Sequence, residues 1–488
     1  MNNVALKEKT ITSLIWNAIE RFMVQGGQFV IKILIARQIS PDDYGLVGIV
    51  AVFLVLSDVI INGGFSQALI QKKDRTSLDY STVFYINIFV AILLYLALFF
   101  FSPLISDFYN DQRLTDIIRL ISISIVIKSL SVVQLAKISI ELNFKAKTIV
   151  NFWAVLISGF IAVYMAYNDW GVYALIYQTI LYSIIVTVLM FFIAKWTPKL
   201  EFSMARAYSL FSFGSKIFLA NLVGVISDNS YAILIGKLFS SKEVGFFTQG
   251  RNLPDLLSVN LFNILQGVLF PVMSSAQDDK ERLLRIYKKS LNMTAFIVLP
   301  SMVGLVIIAE PFVRVFLTEK WLPSVFIIQW LALSRMIVPL GAINANLLNS
   351  IGRSDLYLKI DLIKLPLTIL GLLISSPFGL QYMVISNFIV AIFYYFINAY
   401  YPGKIFNFGP ISQLLNMFPI IVSTSVMFVA TYFWSINNGL LDIIIKIVVG
   451  AIVYIISCFV LKVESVKEIW SYYMLGKIKG KNRRSTCG

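Results

Sequence analysis

The chain has no histidine in its 488 residues and only two cysteines, Cys458 and Cys487. Without histidine it lacks the side chain that most often carries acid–base catalysis near neutral pH, and also the commonest zinc ligand. The two cysteines stand too far from any pattern to imply a disulfide framework or a metal site, so no cofactor and no metal are expected. Charge is scarce as well: Asp, Glu, Lys and Arg make up 14% of the chain, against 58% hydrophobic residues and a mean hydropathy of +0.80. That balance excludes an ordinary soluble globular domain.

In place of charge the chain carries apolar runs. Fourteen are read, at 14–36, 46–63, 82–101, 116–137, 149–167, 171–194, 211–236, 244–272, 290–309, 324–350, 356–375, 379–400, 414–434 and 440–461. Each is long enough to cross a ~30 Å hydrocarbon core as a helix. The first run follows Lys7 and Lys9, contains Glu20, Arg21 and Lys32, and ends on no small-residue cleavage site. It is therefore expected to be a retained helix, not a signal peptide. No loop on the outer side exceeds roughly 15 residues, which argues against an extracytoplasmic catalytic domain, and no enzyme is expected.

The formal net charge is +15, from 41 Lys and Arg against 26 Asp and Glu. With the N-terminus inside, 26 of the 41 bases fall in cytoplasmic segments, 6 in the opposite loops and 9 inside the runs. Such asymmetry over short loops places both termini in the cytoplasm, and nucleic acid is not needed to explain the charge. The tail Lys477–Arg484 is polybasic. Either it is a topological anchor, or anionic membrane lipids attract it by about 1 kcal/mol per charge.

Two stretches 200 residues apart read alike: Ala36-Arg37-Gln38-Ile39-Ser40-Pro41-Asp42-Asp43-Tyr44-Gly45 and Gly236-Lys237-Leu238-Phe239-Ser240-Ser241-Lys242-Glu243-Val244-Gly245. Pro103 and Phe108 match Pro311 and Phe316 at a spacing of 208, and Lys145 matches Arg353 at the same spacing. Six runs separate the duplicated turns, an even number, so the two copies run the same way through the membrane as a parallel pseudo-repeat. The expected fold is an all-α integral membrane protein with about 14 transmembrane helices in two six-helix lobes. Residues 1–195 form the first lobe, 196–210 a cytoplasmic linker, 211–400 the second lobe, 401–462 two unduplicated helices and 463–488 a basic cytoplasmic tail. The segment Ser274–Lys289 reads as an amphipathic cytoplasmic helix.

The first run carries the most specific signal. Asn17, Arg21, Gln25, Gln28 and Lys32 recur at spacings of four, four, three and four, which keeps them within about an 80° stripe of a helix. A charge at the bilayer centre costs at least ~2.5 kcal/mol, so such a stripe faces water or protein. It either lines a cavity or packs on polar neighbours with Glu20 neutralising Arg21. Lys128, Arg251 and Arg335 are further intramembrane bases, each a cavity group or one half of an interhelical ion pair. Asp255 lies one turn after Arg251, Asp361 and Lys364 compensate each other, and Lys216 lies near a membrane face where it can snorkel. Asp58 and Asp228 have no base in their own helices; they bind a coupling cation or proton, or they pair with the excess bases. Nine intramembrane bases stand against five acids, a surplus that attracts an anion and disfavours a cationic drug.

The stretch Ile39-Ser40-Pro41-Asp42-Asp43-Tyr44-Gly45-Leu46-Val47-Gly48, with Gly64-Phe65-Ser66-Gln67-Ala68-Leu69-Ile70-Gln71-Lys72-Lys73-Asp74 and Ser81-Thr82-Val83-Phe84-Tyr85 after it, closely resembles the Wzx-like polysaccharide flippases of bacterial lipopolysaccharide and capsule clusters. These belong to the superfamily that also holds the multidrug and toxin extruders and the lipid II flippase. Asn143-Phe144-Lys145 and the stretch Pro271–Asp279 fit the same pattern. The resemblance implies two lobes forming a V around a central cavity of the bacterial inner membrane. The cavity opens alternately to each side and moves an oligosaccharide linked by pyrophosphate to undecaprenol. It implies Arg21 as the first pyrophosphate contact, with Lys32, Lys128, Arg251 and Arg335 as further cavity bases, and a polysaccharide polymerase and co-polymerase as partners. A cation-coupled drug antiporter of the multidrug extruder type would share the architecture, but would need acids where the first lobe carries bases.

Overall fold

A computed structural model of the chain describes residues 16, 20–72, 74–141, 143–433, 436 and 439–464, and all regular structure among them is helical. Asn17, Cys487 and the polybasic run 477–484 lie outside the described residues, as do the side chains of Arg21 and Lys216. After a π-helical turn, Arg21–Gln25, come α1 (Gly26–Gln38), α2 (Pro41–Asn62), α3 (Phe65–Gln71), α4 (Ser77–Tyr109), α5 (Arg113–Ile121), α6 (Ile123–Ser129), α7 (Val132–Ile140), α8 (Phe144–Tyr167) and α9 (Val172–Ala194). Then follow α10 (Met204–Leu238), α11 (Ser241–Ser274), α12 (Lys280–Phe312), α13 (Pro323–Ser350), α14 (Ser354–Ser375), α15 (Leu380–Phe406), α16 (Pro410–Tyr432) and α17 (Gly439–Val460).

Among the described residues nine helices are long and apolar enough to cross a membrane. The other five apolar runs are helical where described. The run 116–137 is broken into α5, α6 and α7. At its breaks the Ser129 and Ser131 hydroxyls donate to the carbonyls of Val126 and Lys128, at 2.7 and 2.9 Å. Serine bonds back to the main chain compete with the helical ladder and loosen it. The outer surface is apolar: in α4 only 11% of the apolar window is buried within the protein, and Phe100 and Phe160 are 70% and 77% exposed. A continuous apolar exterior on this scale requires lipid, and the chain is a multi-pass membrane protein.

The helix boundaries repeat as the sequence predicts. α1 ends at Gln38 and α10 at Leu238, while α2 opens at Pro41 and α11 at Ser241. Ser40 caps its helix by accepting the Asp43 amide at 3.1 Å, and Ser240 accepts the Glu243 amide at 3.4 Å. At the spacing of 208, Asn110 (φ 56°) ends α4 and Thr318 (φ 85°) ends the π turn Val313–Leu317 after α12. Gly171 (φ 53°) and Gly379 (φ 103°) precede α9 and α15.

Packing divides the chain into two compact units, 1–248 and 249–488. In the first unit, α1 lies along α8, where Gly159 leaves room for the Ile31 side chain. α10 packs along α2: a Cβ at Gly64 would overlap the Gly214 carbonyl, and one at Gly236 would come within 2.9 Å of the Tyr109 ring. The two duplicated turns meet in this unit, with Gly45 against the Ser241 carbonyl and Gly245 against the Pro41 carbonyl; Ser241 also donates its hydroxyl to Asp42. The segment between α9 and α10 is strapped to the start of α4 by bonds from the Lys199 amide to Ser81 Oγ (3.1 Å) and from the Ser203 amide to Thr82 Oγ1 (3.2 Å).

In the second unit the stretch expected as a separate amphipathic helix is a turn up to Asp279 and then the start of α12, continuous with the crossing helix. Its pattern is as expected, with Leu283 and Tyr287 buried and Arg282, Arg285 and Lys289 outward. Tyr287, Asn344, Tyr395 and Gln413 form a buried hydrogen-bonded hub joining α12, α13, α15 and α16. Asp442 and Lys446, 2.9 Å apart on α17, are a buried ion pair.

Candidate functional site

The first helix is built asymmetrically. Val24, Ile31 and Ile35 are buried, and Gly27 approaches Val155 of α8. On the flank of this packed face, Gln25, Gln28 and Lys32 are half-buried and make no hydrogen bond or ion pair among the described residues. The π turn Arg21–Gln25 lies at the head of the stripe. A π turn inside a helix is rare and frequent at functional sites.

Glu20, just before that turn, points to α8. It accepts a hydrogen bond from Asn151 Nδ2 at 2.6 Å and lies 3.3 Å from Lys147 Nζ; Tyr182 donates to Asn151 Oδ1 at 3.3 Å. Glu20 is thus held by Lys147 and Asn151. Asp58 of α2 meets Lys128 of α6 at 3.1 Å. Asp228 on α10 is also engaged.

Asp58, Lys128, Lys147, Asn151 and Tyr182 line one cavity of about 470 Å³ in the first unit, with Asn62, Ser66 and Ser139 among its other polar groups. The N-terminus of α7 borders it through Ser131 and Val132. The Ser131 hydroxyl bonds back to Lys128, so α7 has no side-chain cap, and its first amides present the positive end of a helix dipole to the cavity.

In the second unit Asp255 receives two guanidinium groups, Arg251 Nε at 2.6 Å and Arg335 Nε at 2.5 Å. One carboxylate is thus shared between two guanidinium groups. Asp361 and Lys364 pair at 2.9 Å, as expected. In the first unit Arg119 donates to the Phe99 carbonyl and Ser102 Oγ at 3.3 and 3.1 Å and lies over the Phe99 ring; it is tied to α4. No group of three or more metal-ligating side chains stands together among the described residues.

The structure therefore gathers Asp58 and Lys128 in one cavity, leaves Gln25, Gln28 and Lys32 as a stripe without partners among the described residues, and joins Arg251 to Arg335 through Asp255. The group that sequence reasoning leaves out is Lys147, two residues before the run 149–167. Its signal was present: Lys147 and Asn151 are one helical turn apart at the head of an apolar run, and so share a face.

Comparison with known proteins places this arrangement. The chain matches the polysaccharide biosynthesis protein family over residues 34–326. It is 25% identical to the lipopolysaccharide biosynthesis protein WzxC of Escherichia coli (strain K12) over 376 residues, 76% of each chain. Its fold resembles the lipid II flippase MurJ in an inward closed conformation, with a TM-score of 0.72 at 17% identity, covering 92% of this chain and 98% of the other. It also resembles an inward-facing multidrug resistance transporter of the MATE family, with a TM-score of 0.60 at 14% identity, covering 79% and 98%. With more than half of its length matched, the chain belongs to the family of polysaccharide biosynthesis proteins and has the fold shared by these flippases and multidrug transporters.

Proposed function

We propose that the protein is a flippase that carries an oligosaccharide linked by pyrophosphate to undecaprenol across the bacterial inner membrane, for lipopolysaccharide, capsule or exopolysaccharide synthesis. Both termini lie in the cytoplasm. The lobes at 1–195 and 211–400 alternate in access around a cationic cavity, and a polysaccharide polymerase and its co-polymerase act on what it delivers. The observation that carries this reading is Lys32: an ammonium group in an apolar helix, on one face with Gln25 and Gln28, that meets no carboxylate among the described residues. A retained charge of this kind within a membrane helix marks a substrate path, and a pyrophosphate is the anion that fits it. Arg21 and the Arg251–Arg335 cluster supply further positive groups. The family and the flippase named above support the same reading.

The test is a deletion strain in which surface polymer and lipid-linked intermediates are measured. Undecaprenyl-pyrophosphate oligosaccharide should accumulate on the cytoplasmic leaflet and the surface polymer should disappear; normal polymer would sink the proposal. Replacing Arg21 or Lys32 by Ala should cut export while protein abundance stays unchanged. The drug antiporter reading makes the opposite forecast, hypersusceptibility on a drug panel with intact polymer, and Lys32, a base with no carboxylate partner among the described residues, speaks against it. A substrate-free role for Asp58 and Asp228 as ion-coupling groups is separated by the dependence of export on the ion gradient.

A further inference from the structure

The cavity between α2, α6, α7, α8 and α9 of the first unit is distinct from the α1 stripe and has its own chemistry. Two lysines line it, each paired with a carboxylate: Lys128 with Asp58, which also lines the cavity, at 3.1 Å, and Lys147 with Glu20, which lies behind the lining, at 3.3 Å. The Lys446–Asp442 pair is shut away from solvent, at 6% and 4% exposure. The cavity lysines differ: Lys128 and Lys147 are 34% and 33% exposed, and both face a void of about 470 Å³. That void has room for a diphosphate.

We infer that this cavity is a phosphate-binding site in which Asp58 and Glu20 occupy the lysines until an anion displaces them. With two charges of each sign the unliganded cavity is neutral, which keeps unpaired charge out of the membrane interior. An incoming phosphate gains the Lys128 and Lys147 ammonium groups and the uncapped N-terminus of α7, a combination suited to anions. The displaced carboxylates have donors at hand: the Asn62 amide, which gives one hydrogen to the Asp58 main-chain carbonyl at 2.7 Å, keeps a second for the Asp58 carboxylate, and Asn151 already donates to Glu20 at 2.6 Å. The inference rests on the transport reading only for the identity of the natural anion, the pyrophosphate of the lipid carrier.

The displacement gives a signature that a structural ion pair does not. Removing a carboxylate should strengthen anion binding, and removing a lysine should weaken it. Inorganic pyrophosphate is titrated calorimetrically into the full chain in phosphatidylcholine nanodiscs. Asp58→Asn and Glu20→Gln should each bind about fivefold tighter, the factor that a partly exposed ion pair represents. Lys128→Gln and Lys147→Gln should bind more than tenfold weaker, and Lys128→Arg should restore binding. Thermal melting separates a folding defect from a binding defect, and the tighter-binding variants stay informative because loss of fold cannot tighten a ligand. Weakening in all four glutamine and asparagine variants, or no change in any, overturns the site. Replacing part of the lipid with phosphatidylglycerol distinguishes a headgroup from a diphosphate: competition that depends on Lys128 makes the headgroup the occupant, and its absence assigns the diphosphate. If the binding signature holds while Lys128→Gln exports normally, the anion site stands and its part in transport falls. If the signature fails while Lys32→Ala still blocks export, this site falls and the transport reading stands.

Discussion

Gly45 and Gly245 face each other's helices through their backbones, each taking the place where the other copy offers a carbonyl: Ser241 for Gly45 and Pro41 for Gly245. The contact is reciprocal at an offset of 200 residues, so the duplicated turns form a local two-fold in which residue and partner exchange roles. The resemblance between the two stretches thus has a physical cause. Each needs a helix start with a serine cap, and each needs a position without a side chain four residues after the helix opens.

Gly45→Ala should therefore be costly. No rotamer change relieves a Cβ that overlaps main chain, so the helices must part, and overpacking of this kind costs about 1–3 kcal/mol. The purified protein should melt at a clearly lower temperature. Gly26→Ala is the control: nothing lies within 4 Å of a Cβ there, and exchanging glycine for alanine in a helix gains up to ~1 kcal/mol. Equal melting of the two variants would contradict the packing described.

Asp442 and Lys446 predict a different response. They are buried together, and Asp442 also accepts the Ile436 amide at 3.0 Å. Lys446→Met leaves the carboxylate without its partner and should cost about 3–5 kcal/mol, whereas adding Asp442→Leu to it should recover much of the loss. A double-mutant cycle on unfolding in detergent measures the difference, and additive losses would count against the pair.

Asp111 gives a pH dependence. The guanidinium of Arg113, bonded to its carboxyl at 2.6 and 3.0 Å, holds it below the ordinary carboxylate range against the opposing effect of burial. A carboxyl depressed in the folded state contributes its stability above the unfolded value of ~3.9 and loses it as pH falls through the folded one. Melting temperature should thus be insensitive to this group between pH 6 and 8 and fall below about pH 4, with a shallower fall in Asp111→Asn. An unchanged acid slope in that variant would remove Asp111 from the account.

Asp255 is shared between two arginines, so its neutralisation should outweigh removal of either. Asp255→Asn takes the shared carboxylate from two half-buried arginines at once and should lower protein abundance at 37 °C. Arg251→Gln should leave a normal Arg335–Asp255 pair and near-normal abundance. Immunoblots of membrane fractions decide it, and the reverse order would show that Arg251 holds the pair in place.

Much of this was legible in the residues. The serine caps and the helix ends 200 apart follow local rules that a sequence displays. The polar stripe of Gln25, Gln28 and Lys32 was legible because helical spacing is local too. Partners across the bundle were not: Asp58 and Lys128 are 70 residues apart, and Asn151 and Glu20 are 131 apart. Their charges can be counted in the sequence but not joined to their partners. The break of the run 116–137 into three helices was hidden because its serines fit an apolar run as well as they fit a kink.

The contacts along α10 have a mechanical meaning. Gly214 meets the Gly64 backbone near one end, and Gly236 fits under Tyr109 near the other, a separation of about 33 Å along a helix. A rod pinned at both ends cannot pivot about either. It travels with α2 as one lever, or it lets go at one pin and swings about the other, which leaves this pair a small number of discrete positions.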